Sequence, residues 1–398
     1  MTTITLKQML GSALCGGALL LSAPVLAKDD AFEWPRLLVI GTPGTASGSF
    51  ISTNAWAPIL QKDVGTVVRI VPEDSETMRY RRLTDRKDIA ISSVTAAEMR
   101  FQVEGVGGYI NTVPAPQRIV WHHNDSPWGY VVSGDSDLQS LDDLKAGKHR
   151  VAQGMFSPPM TVAVTKALPA FLGMSEDQAG ERFDFVPASS YAENCRSVVE
   201  GKADVAYCAT ISAVVSEMEG APGGIRWLPM DQSNTEGWQR YLEYRPMLVP
   251  TTIDQGVDSA RGVQGATSNF LYTVPAGADD ALIYNLSKWM HQSYDQYKGK
   301  HPLAARMSLE QFRAYLDRTP LPVHEGTVKY LREIGEWSEQ DEQNNQQAIE
   351  KMDRWIAARR AAVEEARQAG VKVDFQNPAF LEIQNKHTEG LDGFRSRI

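Results

Sequence analysis

Arg36-Leu37-Leu38-Val39-Ile40, followed by Gly41-Thr42-Pro43-Gly44-Thr45-Ala46-Ser47-Gly48-Ser49-Phe50, is the stretch whose reading decides the fold. The short apolar run reads as a buried strand, and the Gly/Thr/Ser segment ends it. Trp56, Ile59 and Leu60 then recur at helical spacing. A turn of this composition between a strand and a helix exposes backbone N–H groups beside the positive end of the helix dipole, which suits an anion. The turn lacks the Gly-Lys-Ser/Thr ending of a P-loop and the Gly-x-Gly-x-x-Gly spacing of a dinucleotide fold, so nucleotide is not the expected anion.

Working outward, the same alternation continues. Strand is expected over 67–71, helix over 75–83 and strand over 88–92, with two further strands over 118–121 and 128–132. The rhythm then restarts, with strands over 150–152, 183–186, 204–207 and 225–228 and helices over 161–172 and 190–200. A strand over 269–274 and a helix over 280–294 return to the first pattern. Short strands alternating with helices make an α/β protein with a parallel sheet covered on both faces, here in two consecutive units. Lobe I is expected over 36–130 and 246–335, and lobe II over 131–245. The segment 336–398 reads as a C-terminal helical extension, polar and solvated, broken at Gly370.

The 398 residues carry 40 Lys+Arg against 49 Asp+Glu, a net charge of −9. Without clustered basic residues to displace counterions, nucleic acid is not an expected partner. Residues 1–27 hold one charge, Lys7, a small and apolar run from Met9 to Leu21, and Val25 and Ala27 at the −3 and −1 positions of a signal-peptidase site. They read as a secretory signal cleaved after Ala27, giving a periplasmic protein with no membrane insertion, since the run falls short of the ~20 apolar residues that span a bilayer. Leu14 before Cys15 argues against a lipid-modified cysteine.

Cys195 and Cys208 remain after cleavage, and an oxidising compartment invites a disulfide between them. Cys195 falls in a helical pattern and Cys208 in the strand after it. A helix packed over a sheet holds its residues beyond the ~7 Å Cα separation that a disulfide tolerates, so two buried thiols are the expectation. His122, His123 and Asp125 do not make a metal site, because adjacent histidines converge poorly on one ion and no further ligand stands at a usual spacing. No nucleophile elbow or Cys–His pair is evident, so neither cofactor nor catalysis is expected.

Several stretches together resemble a known family. They are Gly41-Thr42 through Phe50, the run Gly134-Asp135-Ser136-Asp137-Leu138-Gln139-Ser140-Leu141-Asp142-Asp143-Leu144-Lys145, Gly201-Lys202-Ala203-Asp204-Val205-Ala206, His301-Pro302, and Leu321-Pro322-Val323-His324-Glu325-Gly326-Thr327-Val328-Lys329-Tyr330. Over roughly 36–340 the chain resembles the TAXI family, solute-binding subunits of tripartite ATP-independent periplasmic (TRAP) transporters. The resemblance implies a periplasmic-binding-protein-like fold whose two hinged lobes close on a small organic, carboxylate-bearing ligand and present it to a membrane-embedded TRAP permease. An ABC-type binding protein and an exported enzyme on the same fold are the alternatives.

The ligand residues so implied, at strand C-termini as in other open α/β sheets, are Thr42, Gly44, Thr45, Ser47, Ser49, Phe50, Ser92 and Ser93 in one lobe. In the other they are Phe156, Ser157, Thr161, Tyr191, Tyr207 and Thr210. Arg79 and Arg245 are additional candidates for an anion, and Trp128 for hinge packing or a ligand wall. Where the family has Gly-Ser-Gly, this chain has Pro158-Pro159-Met160, and proline has no N–H to offer a carboxylate. Met155, Phe156 and Met160 offer apolar surface instead, so the expected ligand has a larger or more apolar end than glutamate.

Overall fold

The computed structural model describes residues 32–397, so the expected signal segment and Cys15 lie outside the described residues. Its strands are β1 (Leu37–Thr42), β2 (Val67–Pro72), β3 (Ile91–Thr95), β4 (Gln117–Ser133), β5 (His149–Gly154), β6 (Phe183–Ala188), β7 (Ala206–Ala209), β8 (Ile225–Leu228), β9 (Val249–Thr252) and β10 (Gln264–Pro275). β1 pairs in parallel with β2 and β3. β10 then runs antiparallel between β3 and β4, and the far half of β4 pairs antiparallel with β7 and β8. A separate parallel pair, β5–β6, is tied to this sheet by a bridge from Val151 to Val205.

The two largest hydrophobic cores among the described residues share the sheet. One gathers Leu38, Ile40, Trp56, Ile91, Trp121, Leu271 and Tyr272, and the other Tyr130, Val131, Leu168, Phe171, Tyr207 and Trp238. β4 and β10 contribute to both, and each core with its covering helices forms a lobe. The sheet is therefore mixed, because the two strands that pass from lobe to lobe run against their neighbours.

The expected strands 118–121 and 128–132 are one strand. The polar run between them reads as a break, yet its side chains find partners inside the protein. His122 Nδ1 bonds to the Arg306 carbonyl at 3.0 Å, and Asp125 is paired with Arg306. His123 lies between Ser93, at 2.9 Å, and the hydroxyls of Ser52 and Tyr272. Both imidazoles are thus engaged, and burial pushes the His122 pKa down to about 4. The strand expected over 88–92 lies three residues further on; before it, Ala90 N–H donates to the Val39 carbonyl at 2.9 Å.

Helices α1 (Gly48–Val64), α2 (Glu76–Thr84) and α3 (Ala96–Glu104) start just beyond β1, β2 and β3. Ser47, Ser75 and Thr95 cap them with side-chain oxygens, so three helix N-termini share one end of the sheet. In the second lobe Pro158 and Pro159 open the helix Pro158–Val162, positions where a missing N–H costs no helical bond.

Two further expectations need correction. Cys195 and Cys208 form a disulfide, with Cα atoms 6.0 Å apart. The helix carrying Cys195, Tyr191–Arg196, is only six residues long and lies close against β7, where Asn194 Nδ2 donates to the carbonyl of Tyr207 at 3.2 Å, next to Cys208. The extension is also less solvated than its composition implies. In the long helix Glu339–Gln368, Asn345, Ala348, Met352, Trp355, Ile356, Arg359, Ala362 and Ala366 form a buried stripe. Arg359 donates to the carbonyls of Gln102 at 2.6 Å and Tyr109 at 2.8 Å, so the stripe is anchored by charge as well as by apolar area.

Candidate functional site

The strand ends, the first turns of α1, α2 and α3, and the loop after β5 converge on one cavity of about 710 Å³ of empty space, its mouth included. Pro43, Ser47, Gly48 and Ser49 form part of the wall. The first N–H groups of a helix have no intrahelical acceptor. Ser47 Oγ accepts that of Phe50 at 3.1 Å, which leaves the Gly48 and Ser49 amides at the helix end beside the cavity. A Cβ on Gly48 would come within 2.6 Å of Leu303 Cδ1, so the close approach there favours glycine.

The turn itself is arranged differently from an open cradle. Gly44 N–H donates to Asp74 Oδ1 at 3.0 Å, and a Cβ at Gly44 would lie 2.1 Å from that oxygen. The protein's own carboxylate thus occupies this amide. Thr42 is buried beneath the turn and Thr45 is exposed outside it.

Charge in the cavity wall is unevenly matched. Arg79 and Glu98 are each about 1% exposed, and Arg79 Nη2 donates to both carboxylate oxygens at 2.8 and 2.7 Å, which leaves that pair neutral. Glu76 accepts from Ser157 Oγ at 2.7 Å, and its backbone N–H donates to the Phe156 carbonyl at 3.1 Å. These bonds join a helix of one lobe to the loop of the other. Burial first, and the Glu98 carboxylate second, push the Glu76 carboxyl well above its ordinary range; burial also raises Asp74.

Arg245 has no carboxylate within ion-pair distance among the described residues. It is 4% exposed, donates through Nη1 to the Pro159 carbonyl at 2.9 Å, lies 5.4 Å over the Tyr207 ring, and has no acceptor for Nε–H. The loop that loses two backbone donors to proline therefore stands beside a guanidinium.

Aromatic rings complete the wall. Trp128 stacks on Tyr207, with centroids 5.2 Å apart at 22°, and meets Tyr191 edge-on at 6.1 Å. Tyr191 accepts the Ala209 N–H at 2.9 Å and donates to Ser212 Oγ at 3.0 Å, fixing its ring at the cavity. Phe156, Met160 and Phe270 close the remaining apolar surface.

Of the residues expected to meet a ligand, Ser47, Ser49, Phe156, Ser157, Tyr191 and Tyr207 line this cavity. Thr42, Gly44, Thr45, Phe50, Ser92, Ser93, Thr161 and Thr210 are not on its wall. Ser93 bonds to His123, Thr161 Oγ1 to the Gly154 carbonyl at 3.0 Å and Thr210 Oγ1 to the Gln255 carbonyl at 2.9 Å. Because β3 extends to Thr95, Thr95 and Glu98 reach the cavity in place of Ser92 and Ser93. Met155 is exposed and contributes no wall, whereas Arg79, Arg245 and Trp128 all do. Asp74, Glu76, Glu98 and Phe270 escape the sequence reading. Asp74 and Glu76 follow a parallel strand at its C-terminal end, a position that signals ligand contact; Phe270, inside a strand, has no local signal.

The solved structures similar to this chain include the periplasmic binding protein BugD, at 13% identity, covering 85% of this chain and 99% of that one with a TM-score of 0.44. The periplasmic aliphatic sulphonate binding protein SsuA from Escherichia coli matches at 13% identity, 80% and 88% coverage and a TM-score of 0.38. The substrate binding protein of an amino acid ABC transporter matches at 12% identity, 68% and 98% coverage and a TM-score of 0.40. No curated protein matches the sequence. No helix among the described residues is long and apolar enough to cross a membrane. The model of the NMT1-like family matches residues 40–335, and the chain belongs to that family.

Proposed function

We propose that this protein is an extracytoplasmic solute-binding receptor that captures a small carboxylate-bearing ligand between its lobes and delivers it to an ion-coupled TRAP permease. The observation that carries the reading is Arg245, a buried guanidinium with no carboxylate within ion-pair distance among the described residues and an unused Nε–H on a cavity wall shared by both lobes. Burying such a charge is costly unless an anion matches it. A carboxylate beside Arg245 and the α1 amides supplies that anion. Contacts to both lobes favour the closed arrangement, because only differential affinity shifts a conformational equilibrium. The Glu76 to Ser157 bond supports closure between 36–130 with 246–335 on one side and 131–245 on the other, hinged on β4 and β10. Binding is non-covalent, and the ring and Met160 surfaces favour a larger apolar end over glutamate.

Native mass spectrometry of freshly purified protein tests the reading: a retained anion that is lost in Arg245→Met supports it, and a retained cation or sugar overturns it. Intact mass of the exported protein, starting at Lys28, tests signal cleavage after Ala27. A multi-spanning permease encoded beside the gene supports the TRAP assignment, and an ATPase there supports the ABC alternative.

A further inference from the structure

The same cavity limits the ligand more narrowly. We infer that the ligand is an aromatic monocarboxylate, its carboxylate on Arg245 and its flat body against the Trp128 and Tyr191 rings, an inference that rests on the receptor reading above. Three observations carry it. The first is the charge arrangement: Arg79 is neutralised by Glu98 through two bonds, Glu76 is held toward its neutral form by burial and accepts from Ser157, and Asp74 accepts from the Gly44 amide, so Arg245 is the cation of the wall without a carboxylate within ion-pair distance among the described residues. A second carboxylate would find no further cation on this wall, since Arg79 is already paired with Glu98.

The second is shape. Arg245 lies over Tyr207, Tyr207 stacks on Trp128, and Trp128 meets Tyr191 edge-on, so charge at one end passes into ring surface at the other. Offset and edge-on ring contacts favour an aromatic body over an aliphatic chain of equal area. The third is an unused donor. Trp128 is 8% exposed, and its Nε1–H is buried without an acceptor. A buried donor left without a partner costs free energy, and a ring substituent or carboxylate oxygen of the ligand supplies the missing acceptor.

Calorimetric titration of the mature protein with benzoate, phenylacetate, hexanoate, glutamate and 2-oxoglutarate tests this. An aryl monocarboxylate binding roughly tenfold or more tighter than hexanoate, the equivalent of one or two ring contacts, supports the inference. Loss of about a hundredfold or more in affinity on Arg245→Met, with the far-ultraviolet spectrum unchanged, is the matching result. Trp128→Leu removes the ring; it should weaken aryl binding roughly tenfold while changing hexanoate binding less, and an equal effect on both counts against a ligand-facing Trp128. Tighter binding of glutamate or 2-oxoglutarate than of either aryl acid overturns the inference and leaves the receptor reading standing. Failure of all five anions to bind overturns both.

Discussion

Replacing Glu98 by Gln removes the counter-charge of Arg79 without changing side-chain volume. Both partners are about 1% exposed, and Arg79 would keep its bond to the Glu73 carbonyl at 2.7 Å. Breaking a buried pair by deleting one partner typically costs about 3–5 kcal/mol, since the surviving charge is left uncompensated. The neighbouring Glu76 carboxyl, relieved of Glu98 and still beside Arg79, ionises more readily and offsets part of this, so the expected loss is about 3 kcal/mol. Replacing both partners, as in Arg79→Met with Glu98→Leu, should cost about 1 kcal/mol or less, because no charge is then stranded. Urea unfolding followed by tryptophan fluorescence and circular dichroism measures both. Asp184→Ala is the control, breaking the exposed Lys148–Asp184 bridge at 2.9 Å, with an expected change within about 1 kcal/mol. A Glu98→Gln loss no larger than that control, or a double variant less stable than either single one, would refute the reasoning.

The disulfide spans 13 residues of sequence and joins the helix that begins at Tyr191 to the strand that carries Tyr207. Replacing both cysteines by serine should cost about 3 kcal/mol, the value for a loop of this size, and weaken ligand binding; thermal melts and titration check it. The folded-state pKa of Glu76 is raised above its ordinary value near 4.5, so the native state holds this proton more tightly than the unfolded chain. Stability then falls as pH rises from about 4.5 toward the raised value, a slope that Glu76→Gln should flatten in melts taken between pH 4 and 8. Arg359→Ala would leave the Gln102 and Tyr109 carbonyls without their buried donor, and a loss of about 2–4 kcal/mol in urea unfolding is expected.

Much of the architecture is legible in local pattern. The strand Leu37–Thr42, the Gly-rich turn and α1 follow from apolar run, turn chemistry and helical spacing within one short segment. The second lobe's strands also fall near their expected places, because each buries a compact apolar run. Pattern fails where polar residues are satisfied at a distance: His122 to Pro127 look like a loop and form the middle of β4. The same cause moved the ligand candidates. Reading β3 three residues early aimed Ser92 and Ser93 at the cavity, whereas their place is inside the sheet.

Taken alone, the chain's order of residues determines the alternation of strands and helices, the helix caps and the anion-suited end of α1, since these depend on spacing within a few residues. Which side chains converge was decided only by tertiary structure. Ser157 meets Glu76 across 81 residues, Arg245 meets the Pro159 carbonyl across 86, and Arg359 meets Gln102 across 257. Such meetings depend on how two lobes and an extension bury one another's surfaces, a long-range free energy that periodicity of 2 or 3.6 does not encode.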